Sequence, residues 1–203
     1  MTPTRLDFRI IGDWIKPQSR VLDLGCGDGS LLAYLAQSKG ASGYGLEIDD
    51  AHVSECIRRG VNVIQTDLDA GLSEFDERSF DFVVLSLTLQ AVRYPDRLLR
   101  EMLRVGTEGI VTFPNFGHWR TRWQLGMLGR MPVSAALPHE WYSTPNIHLC
   151  TLRDFERLCE REGIEILESQ VVDHAHRRRL ALRLFPNILG EIALYRFRRA
   201  RLP

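Results

Sequence analysis

Along the 203-residue chain, stretches with apolar residues every three or four positions alternate with short runs that are apolar almost throughout. Residues 6–15, LDFRIIGDWI, put Leu6, Ile10, Ile11, Trp14 and Ile15 near helical spacing, and Pro17 closes the segment. RVLDLG (20–25) reads as a buried strand ending in glycine, LLAYLAQS (31–38) as a helix stopped by Gly40, and SGYGLEI (42–48) as a second strand. AHVSECIRRG (51–60) predicts a helix ended by Gly60, and VNVIQT (61–66) a third strand. FDFVVLSL (80–87) predicts a fourth strand, apolar on both faces as a central parallel strand should be. Residues 94–105 follow as a helix with Pro95 in its first turn, and GIVTF (109–113) as the fifth strand. After Phe113, 37 residues pass before Thr151 and Asp154, in capping-box spacing, head a helix that runs to Gly163. IEILESQVV (164–172) and EIALYRFR (191–198) bring the strands to seven. Alternating strands and helices predict an α/β fold, Rossmann-like, with a mostly parallel seven-stranded sheet, helices on both faces, and an antiparallel final addition. Composition shows no break, so residues 1–203 are read as one domain in which 115–150 form an aromatic-rich cap or insert after strand 5.

Composition adds limits. Apolar residues at 44% and charged residues at 26% are ordinary globular values. Lys+Arg and Asp+Glu are 26 each, so no global field favours nucleic acid or a membrane surface. Charge is segregated locally. Residues 171–203 carry arginines 177, 178, 179, 183, 196, 198, 199 and 201 against Asp173 and Glu191, eight minus two or +6. Residues 47–108 hold thirteen acids against seven arginines, or −6. The basic stretch reads as a solvated edge, with an acidic partner or ligand tail as the alternative. Cys26, Cys56, Cys150 and Cys159 form no CxxC pair, which fits a reducing compartment. With no apolar run of ~18 residues and no signal-like N-terminus, a cytoplasmic protein that neither spans a membrane nor is exported is expected.

Candidate chemistry begins at VLDLGCGDGSLL (21–32), where Gly25, Gly27 and Gly29 follow a strand and open a helix. Such glycines let the backbone turn tightly and approach a ligand beside exposed helix N–H groups. The spacing is Gly-x-Gly-x-Gly with Asp23 two residues ahead, and position 30 is Ser30 where a dinucleotide turn would want glycine or alanine. Glu47, twenty-two residues after Gly25, ends the second strand, where a carboxylate can accept both hydroxyls of a ribose. Asp67 at the end of the third strand can accept from an adenine amino group, with Leu68 against the ring. The fourth strand ends LSLTLQAV, without an Asn/Asp-Pro-Pro-aromatic sequence and without a metal-like carboxylate pair. His118, His139 and His148 read as surface or core-satisfied residues before they read as bases. His174 and His176 adjoin three arginines, which repel a bound cation, and no metal is expected.

The set Asp23, Gly25, Gly27, Glu47, Asp67 and Leu68 resembles the class I S-adenosylmethionine-dependent methyltransferases. That resemblance implies a glycine turn on the methionine part of S-adenosylmethionine or S-adenosylhomocysteine, an acid on the ribose and an acid reading adenine. It says little about substrate, and catalytic residues stay unassigned. FPNFGHWRTRWQLGMLGRMPVS (113–134) and LPHEWYSTPNIHLCTLRDFERL (137–158) narrow the likeness to the MetW family of bacterial methionine-biosynthesis proteins, over essentially the whole chain. Membership would imply an accessory partner of a homoserine O-acyltransferase (MetX). The alternative is an active methyltransferase on a small metabolite; nucleic-acid methylation lacks a basic patch interleaved with aromatics. Three of the four tryptophans fall within 115–150. Trp119, Arg120, Arg122, Trp123 and Trp141 are therefore candidates for partner docking, since Trp and Arg are enriched at interface cores. Trp119, Trp123 and Leu125–Met127 are expected on one side of a helix.

Overall fold

A computed structural model describes residues 6–173 and 184–200. Helix α1 (Leu6–Trp14) leads into β1 (Arg20–Leu24), α2 (Ser30–Lys39), β2 (Ser42–Glu47), α3 (Asp50–Arg58) and β3 (Val63–Gln65). After a 3-10 turn at Leu68–Ala70 come β4 (Phe80–Ser86), α4 (Pro95–Val105) and β5 (Gly106–Pro114). The insert carries α5 (Trp119–Leu128), and the chain continues through α6 (Leu152–Arg161), β6 (Ile164–Val172), one helical turn at Pro186–Leu189, and β7 (Ile192–Arg199). The seven strands lie in the order β3-β2-β1-β4-β5-β7-β6. The first five pair in parallel, and β7 runs antiparallel between β5 and β6. The predicted fold class is thus the observed one.

Local chemistry explains the element ends. Gly40 stops α2 at φ 64°, a left-handed conformation that glycine adopts without strain. Asp49 caps α3 by accepting from the His52 N–H at 2.9 Å. Thr151 and Asp154 form the capping box of α6 in both directions. The fifth strand begins earlier than GIVTF predicts, because α4 passes directly into β5 at Gly106. A Cβ there would stand 2.5 Å from Val83 Cγ2, so the junction needs glycine.

Strand alternation sorts the core into two layers. Val21, Phe82, Val84, Ile110 and Leu194 pack with Ile10, Ile11 and Trp14 of α1 and Leu31 and Leu35 of α2. Their neighbours Leu22, Val83, Leu85, Val111 and Tyr195 pack on the opposite face with Leu99 and Met102 of α4 and Phe155 of α6. Among the described residues no helix is long and apolar enough to cross a membrane. The parallel strands all present their carboxyl ends at one edge, and the insert leaves β5 from that edge.

Candidate functional site

Open α/β sheets place ligands outside the carboxyl ends of their strands, and the crevice there opens where β1 separates β2 from β4. At the end of β1 the chain turns through Gly25, Gly27 and Gly29, with φ of 67°, 54° and 74°. Gly25 and Cys26 donate backbone N–H bonds to Leu46 O at 2.8 and 3.0 Å, which fastens the turn to β2. A Cβ on Gly25 would lie 2.7 Å from Thr88 Oγ1, whereas a Cβ on Gly27 would meet nothing within 4 Å. Gly25 is therefore demanded by packing. Gly27 borders open space.

Glu47 ends β2 and is buried. Its Oε2 accepts the Gly27 N–H at 2.8 Å, and its Oε1 accepts the Ile48 and Asp49 N–H groups at 2.8 and 3.0 Å. Asp23 lies on β1 opposite Gly45, buried to 1% exposure, and its Oδ1 has no hydrogen-bond partner in the structure. Burial, and then the neighbouring Glu47, push its carboxyl up to about 7. Asp67 stands two residues past the end of β3, where it caps the 3-10 turn by accepting from Asp69 N at 2.9 Å, and Leu68 is half-buried beside it. Sequence-predicted residues from three adjacent strands thus come to one edge. Asp67 is engaged in a turn of its own, as an exposed aspartate there can be.

Behind the glycine turn, Cys56 Sγ donates to Gly27 O at 3.2 Å and sits 3.8 Å from Cys26 Sγ. Their separation of thirty residues in sequence hides this pairing. Burial pushes both thiols upward from the ordinary cysteine value. Among the described residues no group of three or more acids, histidines or cysteines could hold a metal ion.

The insert begins at Asn115, whose Nδ2 donates to Asn187 O and Gly190 O at 3.0 and 2.8 Å. His118 is buried, its Nε2 3.8 Å from Glu191 Oε1, and His148 is exposed with its ring 3.1 Å from Arg93 O. In α5, Thr121 is buried while Trp119, Trp123 and Met127 are exposed by 46, 52 and 74%. At 100° per residue those three form one stripe, and Leu125 lies on the opposite side of the helix, contrary to the expected grouping. Arg120 stacks over Trp119, its guanidinium carbon 5.4 Å from the ring centroid. Arg122 instead turns back to donate to Gly117 O at 2.6 Å, securing the start of α5. Trp141 is 70% exposed and lines a groove of about 770 Å³ with Leu128, Met131, Val133 and Arg130.

Of the basic C-terminal edge, Arg196 and Arg198 are paired with Glu168 and Glu165 across the β6–β7 ladder, at 2.6 and 2.8 Å. His174, His176 and arginines 177, 178, 179, 183 and 201 lie outside the described residues. Thr88 and Gln90 are not singled out by the sequence, because LSLTLQAV offers three polar residues, Ser86, Thr88 and Gln90, alternating through an apolar run with no spacing that points to a ligand.

The profile of the family described as methionine biosynthesis protein MetW matches residues 5–197. Over 203 residues the chain is 34% identical to the bifunctional methionine biosynthesis protein MetXA/MetW of Rhodopirellula baltica, covering 96% of this chain and 33% of that protein. It therefore spans a third of that relative's length. It is 30% identical over 177 residues to the ubiquinone biosynthesis O-methyltransferase of Hahella chejuensis, covering 81% and 73%. Among solved structures, an S-adenosylmethionine-dependent methyltransferase from Mesorhizobium loti has a TM-score of 0.71 at 17% identity, covering 97% of this chain and 99% of that one. That likeness shows the fold.

Proposed function

The chain belongs to the MetW family of methionine biosynthesis proteins. On that premise we propose that it holds S-adenosylmethionine or S-adenosylhomocysteine at the glycine turn and serves a homoserine O-acyltransferase (MetX) as an accessory partner. The observation that carries the partner reading is the insert. Trp119, Trp123 and Met127 are exposed along α5 with Arg120 stacked over Trp119, and Met131 and Trp141 are exposed along the groove that follows. A monomer rarely leaves so many large apolar side chains in water, and Trp, Met and Arg are the types that anchor interfaces. The Rhodopirellula baltica relative bears both names in one chain, and such covalent linkage keeps two functions at high effective concentration.

The residues at the glycine turn fit the nucleoside. Asp23 Oδ1, buried without a partner, is an acceptor placed for an ammonium group such as the methionine part carries. Gly25 lets the turn pack against Thr88, and the open space beside Gly27 admits a ligand. Glu47 keeps lone pairs on Oε2, so a ribose hydroxyl would join or replace the Gly27 N–H there. Asp67 and Leu68 are the residues for adenine. When bound, S-adenosylmethionine supplies a methyl group on a sulfonium, already activated for transfer.

Mixing the purified protein with a homoserine O-acyltransferase tests the partner reading. The wild type is expected to co-elute with it. Replacing Trp119 and Trp123 by Ala together with Arg120→Ala should abolish the complex, while calorimetry of the variant alone retains S-adenosylhomocysteine binding. If the complex survives and nucleoside binding is lost, the insert is a substrate lid. Methyl transfer to a small metabolite, the activity class of the Hahella chejuensis relative, then becomes the better reading.

A further inference from the structure

The loop between β4 and α4 touches both the glycine turn and the base of the insert. At one end Thr88 packs on Gly25 so closely that a single added carbon would collide with it. Thr88 Oγ1 donates to Ser86 O at 3.1 Å, and Ala91 N donates to Thr88 O at 2.9 Å, so residues 88–91 form a closed turn. At the other end is Gln90, 1% exposed. Its Nε2 donates to Pro114 O at 3.0 Å, where the insert leaves β5, and to Cys150 Sγ at 3.5 Å, where the insert returns to α6. Its backbone O accepts from Ile147 N at 2.8 Å and His148 N at 3.0 Å. Phe116 N donates to Cys150 O at 3.0 Å, so the outgoing and returning legs of the insert close on each other around this side chain.

Two features suit this loop to more than one arrangement. Leu87 is held at φ 61°, a left-handed conformation that a branched side chain rarely adopts, by N–H bonds to Thr112 O and Oγ1 at 3.0 Å each. Gln90 Oε1 is buried without a hydrogen-bond partner, so one of its polar atoms is unsatisfied in the present arrangement.

We propose that the β4–α4 loop couples nucleoside occupancy of the glycine turn to the conformation of the aromatic insert, with Gln90 as the joint. The inference rests on the nucleoside reading of the glycine turn and adds a regulatory consequence to it. A ligand seated against Gly25 meets Thr88, displaces the 88–91 turn, and moves the peptide groups that hold both legs of the insert. Because coupling is reciprocal, a protein docked on the insert changes nucleoside affinity by the same factor that the nucleoside changes docking.

Hydrogen–deuterium exchange on the full chain, with and without saturating S-adenosylhomocysteine, tests the coupling alongside calorimetry of the same samples. In the wild type the ligand is expected to slow exchange in residues 86–93 and also in 119–149. In Gln90→Leu, which keeps the backbone bonds and removes the side-chain ones, affinity should stay within about twofold while the response of 119–149 falls to the unliganded level. Saturating heat in the wild type with no change in 119–149 overturns the coupling and leaves the nucleoside reading standing. So does a full response in Gln90→Leu. Absence of heat overturns the nucleoside reading and the coupling with it. Should Gln90→Leu fail to fold, the two wild-type readouts still decide.

Discussion

Asp23 shows how one residue connects fold and site. It occupies a strand position whose neighbours, Leu22 and Leu24, are wholly buried, so its carboxyl is desolvated and its Oδ1 lacks a donor. Folding thus raises its pKa from 3.8 to about 7. A group that binds its proton more tightly in the folded state stabilises that state fully below the unfolded pKa, and this advantage is lost as pH rises through about 7. Asp23→Asn removes the ionisation. The free variant should therefore exceed the wild type in stability at pH 8 by of the order of a few kcal/mol, with the gap closing toward pH 4. Urea unfolding at both pH values checks this. The same variant should bind S-adenosylhomocysteine at least about tenfold more weakly, since a charge-assisted bond to the ligand's ammonium is replaced by a neutral one. Equal affinities would detach Asp23 from the ligand.

At the scale of elements, helices of two kinds share the sheet. α4 and α6 bury a continuous stripe (Leu98, Leu99, Met102 and Val105; Leu152, Phe155 and Cys159), and their solvent faces are charged. α5 has apolar residues on several sides, buries Thr121, and owes its place to its ends. Asn115 and Arg122 hold its start, and Gln124 donates to Val133 O and accepts from Val133 N to hold the chain that follows. An element fixed by polar ties at its ends leaves its apolar stripe uncovered, and that stripe is the surface the proposed partner would cover. α6 takes its start from the capping box, which belongs to stability. Thr151→Ala should cost about 1 kcal/mol in urea unfolding and leave nucleoside binding unchanged. A larger loss, or a change in binding, would mean that the returning leg of the insert depends on this cap.

Across the whole molecule, the aromatic junction of Phe113, Phe155, Tyr195 and Phe197 joins β5, β7 and α6. Phe155 lies 4.7 Å from Tyr195 and 5.2 Å from Phe113, ring centre to ring centre. Tyr195 donates to Glu156 Oε1 at 2.9 Å, which satisfies its buried hydroxyl. Because this cluster ties the antiparallel addition to the parallel half, Phe155→Ala should lower stability by about 3–5 kcal/mol. It should do so as one transition with an unchanged dependence on urea. Two separated transitions would show that the strands after the insert unfold independently, and that the chain is not one cooperative domain.

Fold class, element order and the positions of the glycine turn and Glu47 were legible in the sequence, because periodicity, caps and glycines act over neighbouring residues and need no distant partner to be read. The Thr151 cap and the Gly40 stop stand where their sequence signals put them. Other features depended on which surfaces meet after folding. Asp23 was visible as a motif residue, but its missing hydrogen bond follows from what β1, β2 and α2 do not supply. Leu125, expected with the tryptophans on one side of a helix, lies on the other side of α5, because it stands two residues and about 200° from Trp123, which shares its stripe with Met127. Cys26 and Cys56 lie thirty residues apart and meet behind the turn. Gln90 carries no spacing signal at all, yet residues from positions 114 to 150 converge on it. Such convergence is decided by tertiary structure, since a buried amide is given its partners by whichever backbone groups the packed strands leave unpaired around it.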